Sequence, residues 1–160
     1  MRNPESNAIR FVSTDEQSID QIRLLWEKLY ELHRHLSTYF SDRFPEIDFE
    51  KRKAHLFNKS EDLKIRLDLA YNSDRLVGYC LSSVMVRTVG NLGEIESLYV
   101  EPEYRGMNIG DWFMRHAIEW LNTNEAKRIV LGVAVGNEEV HRFYQKYDFY
   151  PRTTILEWRR

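Results

Sequence analysis

The sequence has one cysteine, four prolines and seven glycines among its 160 residues. The single thiol, Cys80, cannot close an internal disulfide and fits a reducing compartment. Charge of one sign is not in excess. The formal net charge of -2 argues against a nucleic-acid or membrane surface as a property of the whole chain. No apolar run approaches the roughly 20 residues of a membrane span. Met1-Arg2-Asn3-Pro4-Glu5 leads into no signal-like apolar core, so the expected location is the cytoplasm. Internal repeats, low-complexity tracts and linkers are absent from the sequence. What is abundant is material for a core: 42% of the residues are hydrophobic, with eight Phe, nine Tyr and four Trp. That supply and this length suit one domain over residues 1–160.

Ile9, Phe11 and Val12 suggest a short first strand, closed by Ser13-Thr14-Asp15-Glu16, in which Ser13 and Glu16 have capping-box spacing. A long helix is expected next, with Ile19, Ile22, Leu25, Trp26, Leu29, Leu32 and Leu36 on one stripe. Pro45 ends it at the latest. Asp48 reads as the cap of a second helix burying Phe49, Leu56 and Phe57. Alternation through Ile65, Leu67, Leu69 and Tyr71, the turn Asn72-Ser73-Asp74 and a strand from Leu76 to Val86 make a hairpin. Gly90-Asn91-Leu92-Gly93 is read as the turn into a further strand, Glu94 to Val100, and such short connections require antiparallel pairing. A helix from Ile109 to Leu121 then leads to Ile129–Val135, an apolar run expected to be a parallel strand covered on both faces. Asn137 should cap a short helix with Val140, Phe143, Tyr144 and Tyr147 inward. A last strand or hairpin should carry Phe149, Ile155, Leu156 and Trp158. The fold class is α/β: a mixed, mostly antiparallel central sheet with one parallel crossover and flanking helices.

The chain is organised around Glu94–Asp111, EIESLYVEPEYRGMNIGD. Pro102 stops the strand because it has no amide hydrogen. The loop Arg105-Gly106-Met107-Asn108-Ile109-Gly110 turns into a helix at Asp111. A helix start leaves backbone amides without partners and, with the helix dipole, favours an anion. Glycines permit positive φ and close approach, and Arg105 supplies a planar cation, so the stretch reads as a phosphate site.

This strand and loop resemble motif A of the GCN5-related N-acetyltransferases, in which Gln/Arg-x-x-Gly-x-Gly/Ala holds the pyrophosphate of acetyl-CoA. Arg105 and Gly110 match, whereas Asn108 stands where the family has its first glycine; asparagine tolerates the left-handed backbone. Asn137 to Phe149, NEEVHRFYQKYDF, is similar to motif B of the same family, with Asp148 in place of the helix-ending glycine. The resemblance implies an acyl-CoA N-acyltransferase fold and transfer of acetyl from acetyl-CoA to a primary amine by direct attack in a ternary complex. No metal is implied. Arg105, Gly106, Met107, Asn108, Ile109, Gly110 and Asp111 would cradle the pyrophosphate, and Leu98, Tyr99 and Val100 would offer backbone to the pantetheine arm. Asn137 would contact that arm or the phosphates. Tyr144 would stand beside the sulfur as an acid, a role suited to a phenol that stays protonated at neutral pH.

Glu94 and Glu96 lie two apart on the strand and share a face. By resemblance Glu94 is the first choice of base and Glu96 the second, with water between as an alternative. Tyr30, Tyr39, Phe40, Phe44, Glu46 and Asp48 surround the turn that in the family contributes to the acceptor pocket; core packing and a solvated loop explain them equally well. The rival function is a non-catalytic acyl-CoA sensor or interaction module of the same fold, and a binder of another phosphate-bearing ligand explains the loop but not the second motif. The acceptor, whether a small molecule, a peptide or a protein, is left open, and dimers are common in the family.

Overall fold

The computed structural model describes residues 8–43 and 47–159. Five strands form one sheet in the order of the chain: β1 (Ile9–Thr14), β2 (Leu63–Asn72), β3 (Arg75–Met85), β4 (Asn91–Val100) and β5 (Ala126–Leu131). The first three pairings are antiparallel, and β4 with β5 is parallel. Local sequence explains the antiparallel part. The Asn72–Arg75 hairpin closes through Ser73 at φ 52°, and the β3–β4 turn lies just before Asn91. The strand thus begins earlier than Gly93, because Asn91 and Leu92 already pair with β5 and Leu92 with Met85. Between β4 and β5 the chain crosses through α3 (Ile109–Thr123), which buries Ile109, Phe113, Met114, Ala117 and Leu121.

Helices cover both faces. On one lie α1 (Arg23–Leu36) and α2 (Phe49–Phe57), packing Ile22, Leu25, Trp26, Leu29, Phe49 and Leu56 against β2 and β3. On the other, α3 and α4 (His141–Gln145) pack against Cys80, Val84, Ile95 and Val100. Asp48 caps α2, accepting from the Lys51 amide at 2.8 Å.

Several expectations need correction. The capping residue after β1 is Asp15, which accepts from the Gln17 amide, while Ser13 stays in β1 and hydrogen-bonds buried Asp68. Glu16–Ile22 is a 3-10 turn, so the α-helix proper starts at Arg23. Phe57 is 40% exposed at the helix end and not buried. Strand β5 stops at Leu131 and lies at the sheet margin with half-buried side chains, so its apolar run reflects an edge packed on α3 and not burial on both faces. Asn137 makes no side-chain cap. Residues 150–159 join no ladder, and Ile155, Leu156 and Trp158 are exposed. Phe44, Pro45 and Glu46 lie outside the described residues.

Candidate active site

The site begins with a break in pairing. β5 follows β4 only from Asn91↔Ala126 to Ile95↔Leu131, while β4 continues to Val100 along β3. Opposite Leu81 and Ser82, the β3 partners jump from Ser97 to Ile95, leaving Glu96 as the extra residue of a β-bulge. A bulge bends its strand and sharpens the twist, and beyond it Leu98, Tyr99 and Val100 pair with β3 but not with β5.

Past the end of that strand stands the glycine loop. Arg105 donates Nε to the Val100 carbonyl at 2.9 Å, and its guanidinium lies over the Tyr99 ring, 5.7 Å from the centroid. Gly106 takes φ 78°, and an added Cβ there would meet nothing within 4 Å, so the loop is open toward solvent. Asn108 takes φ 61°, ψ 14°, the left-handed geometry that asparagine tolerates better than most residues. The amide of Trp112 is the one that bonds back to Asn108 O, at 3.0 Å, so the earlier amides at the helix start remain for a ligand. Met107 is 45% exposed at the tip, whereas the Ile109 side chain is buried and contributes its backbone.

The second motif is latched to the first. A Cβ at Gly110 would lie 3.1 Å from the Phe143 ring, so glycine lets α4 approach the start of α3. Tyr147 donates its hydroxyl to Asp111, and Lys146 lies 3.7 Å from the same carboxylate. Asp111 therefore holds α4 with its side chain and offers a ligand only its amide. Asp148 turns the chain at φ 62°. These contacts place Tyr144 on the α3 face, where burial, with the neighbouring Cys80 thiol, pushes its phenol up to about 12. Asn137 sits half-buried at the preceding turn.

Glu94 and Glu96 share the opposite face, where Arg52 of α2 and Lys59 at its exit meet them. Lys59 joins them, 2.8 Å from Glu94 and 2.7 Å from Glu96. The Glu96 side chain is 1% exposed; Ser83 donates to it at 2.6 Å and Arg52 at 3.0 Å. Burial alone would raise its pKa, yet Lys59, Ser83 and Arg52 outweigh burial and hold the carboxyl below its ordinary value. Glu94 is 26% exposed and has Lys59 as its cation. The sequence reading missed Lys59, Arg52 and Ser83. The available signal was the pair itself, since two half-buried carboxylates on one strand face require a cation.

The residues around the α1–α2 turn have structural partners. Tyr30 stacks on Trp26 at 5.2 Å and accepts from the Ile47 amide, Asp48 caps α2, and Tyr39 is exposed. Two surface cavities, of about 330 and 590 Å³, share Gln21 and are lined by none of the candidate residues; the larger reaches Glu101, next to Val100. Among the described residues, no helix is long and apolar enough to cross a membrane.

A mixed sheet whose parallel pairing ends beside a bulge, with a glycine loop and a helix start beyond it, defines the acyl-CoA N-acyltransferase class of fold. The model of the GNAT acetyltransferase family matches residues 26–149, and the chain belongs to that family. Among solved structures, a predicted acetyltransferase from Clostridium acetobutylicum with acetyl-CoA superposes with a TM-score of 0.69 at 18% identity, over 95% of this chain and 96% of that one. Aminoglycoside N-acetyltransferase AAC(6')-Iy with CoA gives 0.66 at 11% identity, over 99% of each. At these identities the likeness is one of fold. A Bacillus subtilis protein, proposed to be a ribosomal protein bS18-alanine N-acetyltransferase, is 32% identical over 76 residues, 48% of each chain. The chain thus spans about half the length of that curated relative.

Proposed function

We propose that the protein is an acetyl-CoA-dependent N-acetyltransferase acting on a primary amine by direct attack within a ternary complex, with residues 1–160 as one catalytic domain in the cytoplasm. What supports this reading is the end of the β4–β5 pairing at Ile95↔Leu131 beside the bulge, which leaves Leu98–Val100 free on that side to line a cofactor slot. Such a slot connects the loop and Tyr144 on the α3 face with Glu94 and Glu96 on the opposite face, so a thioester threaded through it meets an acid from one side and an amine from the other. Pyrophosphate rests on the amides of the Arg105–Asp111 loop, whose open Gly106 and left-handed Asn108 leave room for it. The pantetheine arm follows Leu98–Val100, with Asn137 beside it.

The amine, once neutral, attacks the thioester carbonyl; its C–N bond forms as the C–S bond breaks. The departing thiolate takes the proton of Tyr144, which its raised pKa keeps in place throughout the neutral range, and the proton that the acylated nitrogen sheds returns to the Tyr144 phenolate, directly or through water. Glu94, the more exposed carboxylate, accepts the ammonium proton, directly or through water. Glu96 is committed to Lys59, Arg52 and Ser83 and serves to fix the bulge. The relatives' names make aminoglycoside amines and protein N-termini the first acceptors to try.

The test is transfer from acetyl-CoA to a panel of such amines by the wild type and by Tyr144→Phe. The account expects turnover to fall about 10²-fold or more, the scale of a lost proton transfer, with acetyl-CoA affinity unchanged. Equal turnover would remove Tyr144 as the acid. Acetyl-CoA binding without transfer to any amine would favour a non-catalytic sensor, a reading that the pairing of both carboxylates with Lys59 also supports.

A further inference from the structure

Two enclosed hydroxyls under α1 and α2 complete no hydrogen bond with the described residues: Tyr79 in β3 and Ser97 in β4. Tyr79 is wholly buried. In the β3–β4 register Tyr79 stands opposite Tyr99 and Leu81 opposite Ser97, so Tyr79 and Ser97 are diagonal neighbours on one face of the sheet. It is the face on which Tyr79 and Leu81 pack with Trp26 and Phe49 of the helices. Burial pushes the Tyr79 phenol up and Ser97 opposes it, so the two hydroxyls face one another and the phenol stays protonated. Ser97 also follows directly on Glu96, the extra residue of the bulge, and lies past Ile95, where pairing with β5 ends.

Two hydroxyls carry two protons. One can lie between them; the other then has no acceptor in the protein, and a buried donor in that state is costly. The carboxylates of this face, Glu94 and Glu96, are already held by Lys59, Arg52 and Ser83. The pair therefore presents a proton to a ligand atom with a lone pair. In the proposed reaction Tyr144 serves the sulfur and Glu94 the amine. The carbonyl oxygen, where negative charge grows as the C–N bond forms, has no side chain assigned to it. We propose that Tyr79 donates to Ser97 and that Ser97 donates to the thioester carbonyl of bound acetyl-CoA. This assignment rests on the acetyl-CoA reading above. Ser97 keeps its proton throughout: its hydrogen bond polarises the carbonyl, tightens on the oxyanion of the tetrahedral stage and relaxes as the C–S bond breaks. Tyr79 reaches the ligand only through Ser97 and is a positioning residue, turning the serine proton toward the thioester.

The test compares acetyl-CoA with CoA, which lacks the carbonyl, by titration calorimetry on the wild type, Ser97→Ala, Ser97→Thr and Tyr79→Phe. Ser97→Ala should weaken acetyl-CoA about 2- to 12-fold, the scale of one neutral hydrogen bond, and leave CoA unchanged. Ser97→Thr keeps the hydroxyl and should bind both ligands as the wild type does. Tyr79→Phe should lower the preference for acetyl-CoA in the same direction with its melting temperature held or raised, because the hydroxyl it removes has no other partner in the protein. The infrared carbonyl stretch of bound acetyl-CoA, labelled with carbon-13, should rise in Ser97→Ala, a change that a merely structural serine would not produce. With any amine that the wild type acetylates, turnover of Ser97→Ala should fall about 10²-fold or more. Equal losses for acetyl-CoA and CoA, or no loss for either, would overturn the assignment while leaving acetyl-CoA binding by the wild type intact. A folded wild type that binds neither ligand would overturn it together with the acetyl-CoA reading.

Discussion

Glu96, a candidate base by the family resemblance, has a full set of structural partners. Its carboxylate is buried among Lys59, Arg52 and Ser83, and its pKa is held low against burial. A depressed folded pKa stabilises the protein above the unfolded value and loses that contribution as pH falls through the folded value. Glu96→Gln should therefore cost about 3 kcal/mol at neutral pH, the low end for breaking a buried pair, because Lys59 and Arg52 reach solvent. It should also flatten the loss of stability below about pH 4.5, the ordinary range of a glutamate. Urea denaturation at pH 7 and pH 4 measures both; equal stability of the two proteins at pH 7 would contradict the assignment. Asn108 was legible in the sequence for a simple reason: backbone tolerance is a property of the residue itself, and the left-handed loop needs it. Asn108→Gly should keep acetyl-CoA binding. Asn108→Val should weaken it about 5- to 30-fold, since a β-branched residue in that geometry costs roughly 1 to 2 kcal/mol; titration calorimetry distinguishes them. Lys59 and Arg52 were not legible, because they arrive from α2 and its exit, dozens of residues from β4.

Between α3 and α4 the account depends on two contacts, the close approach at Gly110 and the Tyr147–Asp111 hydrogen bond. The helix α4 is too short to be stable alone and takes its position from packing. Tyr147→Phe should thus destabilise the protein by about 1.5 kcal/mol, the low end for a hydrogen bond to a charged group, and speed amide exchange in α4 before other helices. Exchange unchanged in α4 would show that Phe143 alone secures it. Hairpins and the parallel crossover were readable because their signals are local: turn residues, alternation and a helix between strands. The fate of β5 and of residues 150–159 was not. An apolar run reads alike whether a strand is central or marginal, and the difference lies in which segments come to lie beside it. The bulge at Glu96 was equally hidden, since it exists only as a register between two strands.

At the scale of the whole molecule, the two layers of helices do different work. α2 and its exit supply the cations that organise Glu94 and Glu96, while α3 and α4 carry the loop and Tyr144. The β4–β5 pairing ends between the two sides, at Ile95↔Leu131, and the proposed reaction needs both. Acetyl-CoA should therefore bind before any acceptor is known and should stabilise the fold by linkage. The direct measurement is the melting temperature of the purified protein titrated with acetyl-CoA, with ATP and NAD as controls. At about 100 times the dissociation constant, the ligand adds roughly 2.7 kcal/mol, or about 5 to 11 °C for a chain of this size. A shift of that order with acetyl-CoA and none with the nucleotides is the predicted result; a folded protein whose melting temperature ignores acetyl-CoA would contradict the account.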